Sequence, residues 1–183
     1  MISHRDFTGV TKVDGRTLSG VAAVYGQPSR TIHEQGRSFV ERIAPGAFGA
    51  SIEGDIKLLY NHQNAMPLAR SRSGTLTLSD SPNGLQYTAS LPETTLGNDV
   101  RALLERGDLS GEMSFGFFVD KDEWNKTKTE RTVTAARLSE ISIVVDAAYP
   151  QTNSSLRCVD AATIEAANTR LELHMQRILR WTT

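Results

Sequence analysis

The stretch LSGEMSFGFFVD, residues 109–120, decides how the chain is read. Met113, Phe115, Phe117 and Val119 recur at every second position, which is the period of a β-strand with one apolar face. Ser114 stands among them, where a bulky apolar side chain would bury more surface. The stretch therefore poses two questions: what sheet this strand belongs to, and why a hydroxyl sits at its centre.

Working outward, the neighbouring segments are also strand-like. Residues 136–146 read as a second long strand, with a polar loop and a short strand (130–135) before it. Residues 5–13 and 17–25 are half-apolar and joined through Asp14-Gly15, a hairpin signal. Residues 38–43 form another strand that stops at Ala44-Pro45-Gly46, where Pro45 suits the first turn of a short helix reaching Ile52. IKLLYNH (56–62), GTLTLSD (74–80) and GLQYTASLP (84–92) follow, the last two joined by a turn at Ser81-Pro82-Asn83-Gly84. Residues 95–106 carry Leu96, Val100, Leu103 and Leu104 on one helical face, and Gly107 ends the helix.

From Asp160, a candidate N-cap, to Trp181 the pattern is helical, with Ile164, Leu171, Met175 and Ile178 forming an apolar stripe. That helix either docks on its own domain or pairs with a second subunit. The expected organisation is a β domain over residues 1–152 and a helical tail over 153–183. Many short strands with few helices predict a mostly β, α+β-class fold: a closed or nearly closed β-barrel decorated by short helices.

The totals narrow the function. A chain of 183 residues has room for one substantial core, and 39% hydrophobic with 22% charged residues is ordinary for a globular protein. Lys and Arg number 20 against 21 Asp and Glu, which argues against a binder of nucleic acid that relies on phosphate attraction. Cys158 is the single cysteine, so no internal disulfide forms and a reducing compartment is expected. No apolar run approaches the length of a membrane span, and MISHRDFTG lacks the apolar core of a signal peptide. The expected location is a cytoplasm. His4, His33 and His174 lie far apart in the sequence without metal-ligand spacing, so neither a metal nor a cofactor is expected.

Three polar residues occupy strands that otherwise read as buried. His62 closes IKLLYNH and shares parity with Ile56, Leu58 and Tyr60. Ser114 lies in EMSFGF. Glu140, in RLSEISIVV, shares parity with Leu138 and Ser142. Each has a plain structural explanation: a strand-end histidine, a strand serine, a carboxylate paired with an arginine such as Arg137. Together they are complementary, because a serine hydroxyl needs a base, histidine titrates in the useful range, and a carboxylate fixes the imidazole tautomer. No Gly-x-Ser-x-Gly elbow is present, which argues against an α/β-hydrolase. Glu112 and Glu140 as a glycosidase acid pair find no further support in the chain.

Five pieces in order, Ala23-Val24-Tyr25-Gly26, Glu41 to Phe48 (ERIAPGAF), Leu59-Tyr60-Asn61-His62, Ser114-Phe115-Gly116-Phe117 and Leu138-Ser139-Glu140-Ile141-Ser142, resemble the caudovirus prohead proteases, the capsid-maturation enzymes of tailed bacteriophages. The resemblance runs from about residue 7 to 152. It implies a fold similar to the herpesvirus assemblins, a barrel ringed by helices, and a serine endopeptidase in which His62 is the base, Ser114 the nucleophile and Glu140 the acidic third member. It further implies the major capsid protein and its scaffold segments as substrate, self-cleavage, a homodimer, and action inside the assembling procapsid in the host cytoplasm. Two departures stand out: Glu112 interrupts a compact Gly-Met-Ser-Phe-Gly-Phe, and Ala147 stands where a proline is common. The oxyanion donors are not identified; backbone N–H groups are the default, with Arg137 or Arg157 as side-chain candidates. The competing expectation is a catalytically silent capsid-assembly or scaffolding component on the same fold.

Overall fold

A computed structural model describes residues 2–7, 11–34, 36–82 and 84–145. Eleven strands form in chain order among these residues: β1 (Ser3–Phe7), β2 (Lys12–Asp14), β3 (Thr17–Val24), β4 (Ile32–Glu34), β5 (Arg37–Ile43), β6 (Lys57–Tyr60), β7 (Gln63–Arg70), β8 (Leu76–Ser81), β9 (Gly84–Ser90), β10 (Met113–Trp124) and β11 (Glu130–Ile143). Among the described residues the one α-helix, α1, spans Thr95–Arg106. Thr94 caps its start, accepting a hydrogen bond from the Gly97 N–H, and Gly107 closes its end in the left-handed conformation at φ 79°. The tail helix and the 153–183 domain expected from the sequence lie outside the described residues. Among the described residues no helix is long and apolar enough to cross a membrane.

The strand opened by Met113 belongs to the larger of two sheets. β11 is its spine: one edge pairs antiparallel with β10, which in turn carries β1. The other edge is shared by two parallel partners, β5 against Glu130–Val133 and β6 against Glu140–Ile143. β4 and β7 extend those partners antiparallel. The second sheet is antiparallel, two hairpins joined edge to edge in the order β2-β3-β9-β8. Met113, Phe115, Phe117, Ile141 and Ile143 from the first sheet share one buried apolar cluster with Leu18, Ala22, Leu76, Leu85, Tyr87 and Ala89 from the second. Phe48, from the loop after β5, adds its ring edge-on to Phe115 and Phe117.

The fold is thus mostly β, as expected, but among the described residues it is not a closed barrel. Among the described residues no strand of one sheet pairs with a strand of the other. The larger sheet forks at β11 instead of curling shut, because that 14-residue strand has space along one edge for two successive partners. The expected strands over 130–135 and 136–146 are this single strand. The 5–13 segment also divides: its start pairs in the larger sheet and its end in the smaller.

Candidate active site

Glu140 is the centre of the polar cluster. In an ideal strand it would share a face with Leu138, yet Leu138 packs in the apolar core while Glu140 meets His4 and His62. The register explains this. Phe117 pairs with Leu138 and Gly116 with Glu140, so Ser139 is an extra residue, a β-bulge. Bulges re-aim side chains, and this one turns Glu140 and Ser142 away from the face that carries Ile141 and Ile143.

His62 reaches the same face by a different device. β6 runs beside β11 with Lys57 opposite Glu140 and Tyr60 opposite Ile143. Continued as a strand, His62 would fall with Leu58 and Tyr60 on the core side. Instead Tyr60 pairs with Gln63, leaving Asn61-His62 as a two-residue hairpin loop with φ 49° and 59°. Two left-handed residues define a type I′ turn, which asparagine tolerates well and histidine less so. The turn is tied to the end of β11. Asn61 N–H donates to Ile143 O (2.9 Å), Val145 N–H to Asn61 Oδ1 (3.1 Å), and His62 N–H to Ser142 Oγ (3.2 Å).

The result is a close pair. His62 Nδ1 lies 2.7 Å from Glu140 Oε1, and Ser142 Oγ donates to Glu140 Oε2 at 2.6 Å. A third group joins them from β1. His4 Nδ1 is 3.3 Å from Glu140 Oε1, and its ring meets the His62 ring edge-on at 4.3 Å between centroids. Burial alone would raise the pKa of Glu140, but hydrogen bonds from His4, His62 and Ser142 outweigh it and hold the carboxyl at about 2. It is an anion at neutral pH.

Gly116 makes this arrangement possible. It lies between His4 and Glu140 in the register, and a Cβ there would stand 2.7 Å from Glu140 Oε1 and 3.1 Å from His4 Nδ1. The glycine keeps a space for the carboxylate.

Ser114 occupies the next rung on the same face, opposite Ser142 on one side and Asp6 on the other. Directly opposed residues have Cβ atoms roughly 5 Å apart, so Ser114 is next to the residue that binds both His62 and Glu140. Its side chain is wholly buried, and its Oγ has no hydrogen-bond partner among the described residues. A buried hydroxyl without a partner is costly, by about 1–3 kcal/mol, and such exceptions concentrate where chemistry is done.

His62 and Glu140 are therefore brought together. Ser114 is on the same face and one rung away, without a bond to either. The sequence reading missed His4, which it grouped with His33 and His174 as histidines far apart without metal-ligand spacing, and nothing in its spacing announces the contact. It also left Ser142 without a role, although its place two residues beyond Glu140 on one strand was a signal. Arg137 does not pair with Glu140: its Nε donates to Asp120 Oδ1 at 3.0 Å at the surface. Arg157 lies outside the described residues.

A family model described as caudovirus prohead serine protease matches residues 6–168. The chain belongs to that family. The matched span includes Ser114, His62 and Glu140 but begins after His4. No curated protein matches the chain significantly. Among solved structures, the bacteriophage T4 capsid assembly protease gp21 aligns at 9% identity with a TM-score of 0.46, over 79% of this chain and 97% of that one.

Proposed function

We propose that this member of the prohead protease family is an active endopeptidase with Ser114 as nucleophile, His62 as general base and Glu140 as the carboxylate that orients His62. The observation that carries the reading is the 2.7 Å contact between His62 Nδ1 and Glu140 Oε1 on the face where Ser114 Oγ is buried and, among the described residues, unpartnered. A carboxylate accepting from Nδ1–H leaves the lone pair on Nε2. Once Ser114 Oγ comes within hydrogen-bond reach of Nε2, the imidazole takes its proton as oxygen attacks the scissile carbonyl. The same proton passes to the leaving amine, giving an acyl-serine that water hydrolyses by the reverse relay. Glu140 stabilises the imidazolium at both stages.

The substrate in this reading is the major capsid protein with its scaffold segments, cut inside the assembling procapsid, with trimming of the enzyme's own chain and a homodimeric working state. Removing inner scaffold frees volume for DNA and makes assembly irreversible. One observation favours a second reading, a silent assembly component: Ser114 Oγ makes no bond to His62 in this arrangement.

Co-expression with a scaffold-bearing capsid protein separates the two. The wild-type chain should produce shortened capsid protein on a gel, and Ser114→Ala and His62→Ala none. Glu140→Gln should retain a residual rate, lowered by about 10²–10⁴-fold, because orientation and charge are lost but the nucleophile and base remain. Identical band patterns for wild type and Ser114→Ala would establish the silent component instead, and full activity in Glu140→Gln would remove Glu140 from the triad.

A further inference from the structure

His4 has no part in the hydrolysis proposed above, yet it comes to the same carboxylate oxygen as His62. Its Nδ1 is 3.3 Å from Glu140 Oε1, and the Nδ1 of His62 is 2.7 Å from that oxygen. One ring nitrogen from each histidine and one carboxylate oxygen all fall within 4.8 Å of one another. Two features keep them open as ligands. The side chains of His4 and His62 are 39% and 27% exposed while that of Glu140 is 8% exposed, so an ion meets the rings from solvent with the anion at the base. Gly116 contributes no Cβ to the space beside Oε1 and His4 Nδ1. We propose that His4, His62 and Glu140 form a binding site for a divalent transition metal of the zinc class, and that an ion there silences the hydrolase.

The donor set selects the metal. Imidazole nitrogen with one carboxylate oxygen suits zinc, whereas magnesium and calcium prefer oxygen ligands throughout. Zinc holds such atoms at about 2.0–2.2 Å, which places neighbouring ligand atoms roughly 3–3.5 Å apart around a tetrahedral ion. The separations between Glu140 and each histidine already lie close to that range. Three protein ligands leave a fourth position for water.

Inhibition follows from tautomer chemistry. A neutral imidazole has one N–H and one lone pair. Without metal, His62 places N–H at Nδ1, facing Glu140, and keeps the lone pair at Nε2. A metal at Nδ1 uses the lone pair there, so the hydrogen must move to Nε2. The ring gains and loses no proton overall, but Nε2 can no longer accept one from Ser114. The inhibitory half of the proposal rests on the protease reading; the binding half does not.

The test is zinc titration of the full chain by calorimetry, with magnesium as control, on wild type, His4→Ala, His4→Phe and Ser114→Ala, each checked for folding by circular dichroism. Cys158 and His174 can also bind zinc, so the variants decide and not the stoichiometry. Zinc affinity should fall at least tenfold in both His4 variants and change less than threefold in Ser114→Ala, with no magnesium binding. In the cleavage assay zinc should suppress wild-type turnover, a chelator should restore it, and the inhibitory concentration should follow the calorimetric affinity. Equal zinc affinity in wild type and a folded His4 variant overturns the site, as does wild-type cleavage indifferent to zinc at saturating occupancy. Zinc binding that depends on His4 in a chain with no cleavage without zinc would instead overturn the protease reading and leave the metal site standing.

Discussion

Gly116 shows how much one absent methyl group can decide. Its backbone is not in the left-handed region, so its identity is a matter of space alone. In Gly116→Ala the new Cβ would press on Glu140 Oε1 at 2.7 Å, forcing the carboxylate or the strand to move. Overpacking of this kind costs about 1–3 kcal/mol. The expected outcome is a lower melting temperature together with at least a tenfold loss of turnover, because the displaced oxygen is the one that His62 binds. Calorimetry and the capsid-protein cleavage assay check the two effects separately, and unchanged turnover would mean that Glu140 does not orient the base. A glycine inside a strand commonly marks a bulge or the close approach of another group, and here the approach is that of Glu140 and His4, while the bulge lies across the ladder at Ser139.

Among the elements, β1 is held by a buried ion cluster. Arg5 Nε donates to Glu41 Oε1 at 2.6 Å, Arg131 Nη1 lies 3.2 Å from Glu41 Oε2, and the guanidinium of Arg5 also lies over the Phe117 ring. Glu41 is almost fully buried. Arg5→Ala removes its nearer partner and should destabilise the protein by about 3 kcal/mol, at the lower end for a broken buried pair because Arg131 remains. Urea unfolding would measure it, and the further change Glu41→Gln should recover part of the loss by removing the stranded charge. Much of the element pattern was legible: the helix with its Gly107 stop, the Asp14-Gly15 hairpin and the strands around Ser114 and Glu140 follow from period and turn chemistry. Two strands were not. β4 is three residues long, and β7 contains Pro67, which argues locally against a strand. Strict alternation is broken at two points near the site, the Ser139 bulge and the Asn61-His62 turn, each of which moves a side chain to the other face. Neither is encoded by alternation, and both are fixed by pairing with strands distant in sequence.

At the scale of the whole molecule, the depressed pKa of Glu140 ties stability to acidity. Its carboxyl titrates near 4.5 as an unperturbed group and at about 2 in the fold. The folded state therefore binds the proton less readily than the unfolded chain. The stabilisation is complete above about pH 4.5 and disappears as pH falls through 2. Melting temperature followed from pH 6 to pH 2 should drop more steeply in the wild type than in Glu140→Gln, which has no proton to bind there. Parallel curves would show that the histidines and Ser142 do not favour the anion. The overall architecture was legible only in part. A mostly β composition predicted sheets, but whether sheets close on themselves depends on which edges find partners, and the branching of β11 toward both β5 and β6 arises from long-range pairing that no local pattern records.

β1 also has consequences beyond its five residues. Arg5 answers to Glu41 within the packed interior and His4 to Glu140 on the opposite face, so consecutive side chains of one short ribbon serve two carboxylates on either side of the same sheet. Neither attachment can slacken without dragging on the other. Any event that lifts this ribbon from the rim of β10 would take from Glu41 its nearer cation and from Glu140 one of its histidines in a single stroke.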